Sequence, residues 1–162
     1  RFMLVAALNP TPKGDMPDSE FSQRQMERYL SRISGPLVDR VDIHVEVPRV
    51  PYRQLTGKAN GTDSATLREK VAVARAIQCE RNGSPLKPNS SLSGRQLDRI
   101  AILDEPSQAL LKAAMSELNL SARAYDKIRR VSRTIADLEE AEQIEQHHAS
   151  EAIGYRLLDR MM

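Results

Sequence analysis

Apolar residues run unbroken from Phe2 to Leu8, and the run stops at Asn9-Pro10. Such a stretch predicts a strand covered on both faces, as in a parallel sheet. A loop rich in Pro and Gly, Thr11–Pro17, follows. Within Phe21 to about Ile33, the residues Met26, Tyr29, Leu30 and Ile33 recur at the spacing of one helical face. Ser34-Gly35-Pro36 breaks that helix, and Leu37–Arg40 is expected to form one further short turn. Val41, Ile43, Val45 and Val47 then alternate with Asp42, His44 and Glu46, the period of two expected of a half-exposed strand.

Pro48 and Pro51 close that strand, and the stretch from Val50 to Asp63 turns to Pro, Gly, Thr and Asn. Beyond it the period changes to that of helices. Asp63 or Ser64 caps a long helix to about Arg81, and Leu97–Leu103 forms a short one. Asp104 caps a helix through Leu118, Ser121 another to about Asp137, and Ala149–Met161 the last. The expected architecture is mainly α. Residues 1–50 form a portion with two remnant strands of an α/β core, 51–63 a linker, and 64–162 an all-helical bundle.

Composition narrows the classes. The chain has 162 residues, enough for one ordinary domain or two small ones. Aromatic content of 4%, with no Trp, requires an aliphatic core. A net charge of +2 is too small to imply nucleic-acid binding by itself, so local clusters must carry any such claim. Cys79 is the sole cysteine, which excludes an internal disulfide and a cysteine zinc site and fits a reducing, cytoplasmic setting. The longest apolar run is far too short for a bilayer, so no membrane association is expected. A hydrophobic strand directly after Arg1 points to a piece of a larger protein.

Candidate chemistry centres on arginine. The tract RYLSRISGPLVDRVDIHVEVP places Arg40 directly before a strand, and LSARAYDKIRRVSRTIADLE places Arg123 in the first turn of a helix capped by Ser121. Guanidinium groups at element ends suit an anionic ligand such as a phosphate. The bland alternative for Arg40 is a surface ion pair with Asp39 or Asp42. On the Ser121-capped helix, Ala122, Tyr125, Ile128, Val131 or Ser132 and Ile135 make an apolar stripe. Arg123, Lys127, Arg130 and Thr134 face the other way, either as an ordinary solvated stripe or as a DNA-backbone contact. Asn9, at a strand end, either orients a phosphate or water or simply starts a turn.

Other motifs add little. No G-x-x-x-x-G-K-[ST] phosphate loop is present, because Gly57-Lys58 is followed by Ala59 and lacks the upstream glycine. Ile100–Glu105 imitates a Walker B strand, but Pro106 and Ser107 open an amphipathic helix that makes Asp104 an N-cap. His147 and His148, being adjacent on a helix, diverge by about 100° and are not expected to share a metal.

The order of these parts resembles the later half of an AAA+ ATPase. FMLVAALNP, RYLSRISGPLVDRVDIHVEVPRVPY and LSARAYDKIRRVSRTIADLE are similar, in sequence and in order, to the magnesium-chelatase-like ComM/YifB family. The resemblance implies Asn9 as sensor 1, Arg40 as arginine finger and Arg123 as sensor 2, with residues 1–50 the end of the AAA+ core and 64–162 the helical lid. It also implies ATP and Mg²⁺ as ligands of the full-length protein, held by an N-terminal ATPase half outside this chain. Alone, the chain is expected to bind neither tightly and to be inactive. Ring self-association and action on DNA as a helicase or branch-migration motor follow from the same resemblance. The alternatives are a magnesium chelatase ATPase subunit, and a non-enzymatic helical module binding nucleic acid or protein, using Lys127, Arg129, Arg130 and Arg133. Many members carry N-P-C-P-C-G after the first strand. Here Asn9-Pro10-Thr11-Pro12-Lys13-Gly14 lacks both cysteines, so zinc binding does not carry over.

Overall fold

The computed structural model describes residues 3–8, 35–48, 50–52, 56 and 61–156. The chain divides into two compact units, Arg1–Val38 and Asp39–Met162. Among the described residues there are six α-helices and no strand: α1 (Gly35–Arg40), α2 (Ser64–Asn82), α3 (Arg95–Ile100), α4 (Glu105–Glu117), α5 (Ala122–Leu138) and α6 (Gln146–Gly154). A single 3₁₀ turn, Asn89–Ser91, lies between α2 and α3.

The two expected strands are therefore corrected: the described fold is all-helical, with no remnant of a sheet. Residues 3–8 carry no regular structure, and Met3 and Val5 are 85% and 80% exposed. Residues 43–48 are likewise irregular, with Val45 and Val47 turned to solvent. The physical reason is the ladder. A strand needs a neighbour for its N–H and C=O groups, and the described residues supply none. The backbone N–H of His44 donates instead to the Tyr155 carbonyl at 2.8 Å. Among the described residues, the closest approach to a sheet is an isolated parallel bridge between Leu103 and Ile144.

The helices begin where their side chains cap them. Asp63 accepts from the amides of Ala65 and Thr66 at 2.8 and 3.0 Å, Asp104 from Ser107 at 2.9 Å, and Ser121 from Ala124 at 3.1 Å. Asp104 is thus an N-cap, as its following Pro indicates. Helix α2 ends at Gly83, whose φ of 72° is a left-handed conformation that glycine adopts without strain. Helix α6 starts at Gln146, ahead of the expected Ala149, because Glu145 and His148 cap each other reciprocally.

Helix α5 is the centre of the unit. It packs on α2, α3, α6 and the 3₁₀ turn. Ile128, Ile135 and Ala136 join Leu97, Leu103 and Leu111 in one aliphatic core. The expected one-sided stripe is corrected here too. Lys127, Arg129, Arg133 and Asp137 are all buried, whereas Tyr125 is 38% exposed. A helix surrounded by neighbours buries most of its circumference, and its polar side chains must then find partners inside. No helix among the described residues is long and apolar enough to cross a membrane.

Candidate functional site

The start of α5 gathers the chemistry. Ser121 Oγ, having accepted the Ala124 amide, donates its own proton to Asp39 Oδ1 at 2.6 Å. Arg123 Nη1 reaches Asp39 Oδ2 at 3.3 Å. The Ser121 hydrogen bond holds the Asp39 carboxyl below its ordinary pKa of 3.8, against some desolvation, with Arg123 and Lys127 helping. One turn on, Lys127 Nζ lies 3.1 Å from both the Val41 carbonyl and Asp42 Oδ1. The Arg156 guanidinium donates to the same Val41 carbonyl. Residues 39–44 are thus strapped along α5 and the end of α6.

Within this strap the two cationic candidates differ. Arg123 keeps 69% of its side chain in solvent, with one loose anionic contact. Arg40 is exposed at the end of α1, next to the carboxylate that Arg123 touches. Arg123 thus meets the carboxylate of the residue that directly precedes Arg40 in the chain. From the sequence alone Asp39 is only one of two local ion-pair partners for Arg40, beside Asp42. Nothing in the spacing of residues 82 apart points to its bond with Ser121. Asn9 lies outside the described residues.

The remaining basic residues of α5 are engaged. Arg130 Nε donates to the Leu92 carbonyl at 2.7 Å, and its Nη2 lies 3.7 Å from Asp126. Any contact of Lys127 or Arg130 with nucleic acid must break or share these bonds. Arg129 donates to the carbonyls of Leu97 and Ala101 and pairs with Asp98 at 2.9 Å, closing the end of α3. Arg133 donates to Asp137 at 3.0 Å and to the carbonyls of Ala141 and Glu142 at 2.6 and 2.8 Å. Asp137, fully buried, also accepts from both Arg81 terminal nitrogens, at 2.6 and 2.7 Å, and from Asn89 Nδ2 at 2.7 Å. This network ties α2, the 3₁₀ turn, α5 and the following loop together.

A second cluster lies at the start of α6. His147 Nε2 and His148 Nε2 approach the same Glu139 oxygen at 2.9 and 3.1 Å. Their rings sit 3.8 Å apart, tilted by 43°. The expected divergence of the two imidazoles is corrected. It describes where the Cβ atoms leave the helix, but the rings bend back towards one carboxylate from the loop before it. The donor atoms lie within 4.8 Å of one another, close enough for a shared cation. The tautomer of His148 opposes that. Its Nδ1 accepts the Glu145 amide at 2.9 Å, which leaves the proton of the neutral ring on Nε2, the atom a metal would need. The cluster is a carboxylate held by two imidazoles. Glu139 is held below its ordinary 4.5, first by the His147 hydrogen bond and then by that of His148. His147 is raised above 6.5 chiefly by its bond to Glu139.

Residues 61–156 match the family described as magnesium chelatase, subunit ChlI C-terminal, and residues 1–55 that described as magnesium chelatase, subunit ChlI. The competence protein ComM of Haemophilus influenzae is 44% identical over 165 residues, covering 100% of this chain and 32% of that protein. The YifB protein of Salmonella typhimurium is 38% identical over the same shares. A protein of Mycobacterium tuberculosis is 33% identical over 85% of this chain and 28% of its own length. The chain thus spans 32% of the length of the first two relatives.

Proposed function

The chain belongs to the magnesium chelatase ChlI C-terminal family, in its ComM/YifB branch, and on that premise we propose that it supplies sensing and finger residues to a ring-forming AAA+ ATPase. ATP is the substrate. Arg123 contacts the γ-phosphate of the ATP held by its own subunit, Arg40 the ATP of the adjacent subunit, and Asn9 acts as sensor 1. The phosphate cradle and the Mg²⁺ ligands belong to a segment outside this chain, since no phosphate loop occurs within it. Isolated, the chain is expected to show no ATP hydrolysis.

One observation carries this reading. Arg123 is the exposed cation at the first turn of a capped helix, and its ion pair with Asp39 is long and solvated. An exposed pair of this kind stabilises little, so the guanidinium is available for a doubly charged phosphate, which it binds with more charge and a matching fork. Substitution at either arginine is expected to spare the fold, because neither side chain is buried. In the complete protein, Arg40→Ala is expected to lower turnover by about 10³-fold or more, and Arg123→Ala by about 10²-fold or more. Wild-type turnover in both variants refutes the assignment.

The work we assign to the ring is remodelling of DNA, with self-association as its mechanical basis. A second reading rests on the description of the matched families: the ATPase subunit of a magnesium-inserting enzyme. Turnover stimulated by branched or single-stranded DNA, with binding that weakens steeply as salt rises, supports the first. Stimulation by a porphyrin-binding partner and indifference to DNA supports the second.

A further inference from the structure

We propose, resting on the reading just given, that Asp39 is a positioning residue whose carboxylate holds Arg123 in the place of a nucleotide phosphate and gives it up when ATP binds. One carboxylate is divided between two donors of the same helix start. Its bond to Ser121 is short, at 2.6 Å, and its bond to Arg123 long, at 3.3 Å. Exposure is unequal as well, 24% for the Asp39 side chain and 69% for that of Arg123. The tight bond keeps the carboxylate in place while the loose one can be exchanged. A γ-phosphate carries more charge than a carboxylate and offers the same paired acceptors to a guanidinium. Exchange therefore runs towards the phosphate once another segment presents it.

The exchange has a further reach. Asp39 directly precedes Arg40 in α1, and beyond them Lys127 and Arg156 fasten the Val41 carbonyl. Loss of the Arg123 contact thus leaves the turn carrying Arg40 with one tie fewer at Asp39, held there by Ser121 alone, while the strap at Val41 stays on α5. In a ring, that would tie the ATP bound by one subunit to the arginine it offers the next. Coupling of this form needs a contact that differs between the two ligand states. The Asp39–Arg123 pair is such a contact.

The test uses the complete protein, with ADP and a non-hydrolysable ATP analogue as probes. Asp39→Asn keeps an acceptor for Ser121 and removes the competing charge. It is expected to bind the ATP analogue about two- to five-fold more tightly, the range set by an exposed ion pair, and ADP no differently. Asp39→Glu restores the charge and should bring the affinity back towards wild type. Equal or weaker binding of the analogue by Asp39→Asn, or an equal gain for ADP, overturns the proposal. Should Asp39→Asn fail to fold, the wild-type protein decides. The Asp39 carboxyl, followed by carbon NMR, should titrate higher when the analogue is bound, and an unchanged midpoint overturns the proposal. Arg123→Ala separates the two levels: unaltered turnover and ATP binding there sinks the ATPase role of Arg123 whatever Asp39 does.

Discussion

Asp137 is the residue on which the helical unit is most exposed to damage. Its carboxylate is fully buried and receives four hydrogen bonds from Arg81 and Asn89 and from Arg133 across one helical turn. Asp137→Asn preserves the shape and removes the charge. The new amide must then point its N–H₂ at a guanidinium or at Asn89 Nδ2, a donor against a donor. Removing one partner from a buried ion pair costs about 3–5 kcal/mol. Two features pull the value towards the lower end. Arg81 is 25% exposed and can be rehydrated, and Arg133 retains the Ala141 and Glu142 carbonyls. Burial already lowers the pKa of Arg133, and Asp137 is the charge that opposes this, so the remainder of the cost stands. A loss of about 3 kcal/mol corresponds to roughly 10 °C in Tm for a chain of this size. Urea and thermal unfolding followed by circular dichroism measure both. Asp126→Asn is the control, because its 3.7 Å pair with Arg130 is partly exposed and its loss should cost under about 1 kcal/mol. A loss below about 1 kcal/mol at Asp137 as well would refute the structural role assigned to the network.

Two further outcomes follow, one from the buried Arg129 and one from the exposed pair at the start of α6. Arg129→Ala strips the donors from the carbonyls of Leu97 and Ala101. It should cost about 2–3 kcal/mol and speed amide exchange in α3, and a change within about 0.5 kcal/mol would contradict the assignment. At the start of α6 the sign of the pH effect is set by two opposed shifts. His147 is raised above 6.5, so its contribution is complete below that value and fades as pH rises through the folded pKa. Glu139 is lowered below 4.5, so its contribution is complete above that value and fades as pH falls through the folded pKa. The Glu139–His147 pair, with Glu145 and Glu151 also facing His147, is thus strongest in weakly acidic solution. The wild-type urea midpoint should fall from weakly acidic to weakly alkaline pH by more than that of Glu139→Gln, and equal falls would discount the cluster.

The helical caps were legible because they are local. An Asp or Ser followed by an apolar face at helical spacing fixes a helix start within a few residues, and Asp63, Asp104 and Ser121 all accept the amides this predicts. Strands are not local in this sense. Val41–Val47 satisfies the alternation, yet alternation specifies a face and not a neighbour, and His44 gives its amide to Tyr155. The start of α6 escaped because its reciprocal cap uses His148 where Glu or Gln is the usual signal. The candidate site was half legible. Arg40 and Arg123 stand out by type and position, but the carboxylate that Arg123 meets lies in one tract and its partners, Ser121 and Arg123, in another.

Helix α5 shows why a run of basic residues is a poor guide to a basic surface. Arg123, Lys127, Arg130 and Thr134 look like one stripe, and Arg129 and Arg133 like its margin. In the folded chain the run divides by what each side chain can reach. Arg129, Arg130 and Arg133 end on main-chain carbonyls, acceptors that no pattern of side chains reveals. Lys127 ends on the strap at Val41 and Asp42. These bonds need the cations where they are, since each satisfies an oxygen in or beside the core. Arg123, at the first turn, leaves the packed region and faces solvent with a single long ion pair. The same helix therefore anchors the unit through its later turns and presents a replaceable contact at its first. A ligand that draws on Arg123 can act there without dismantling the core, and that separation is what a sensing residue requires.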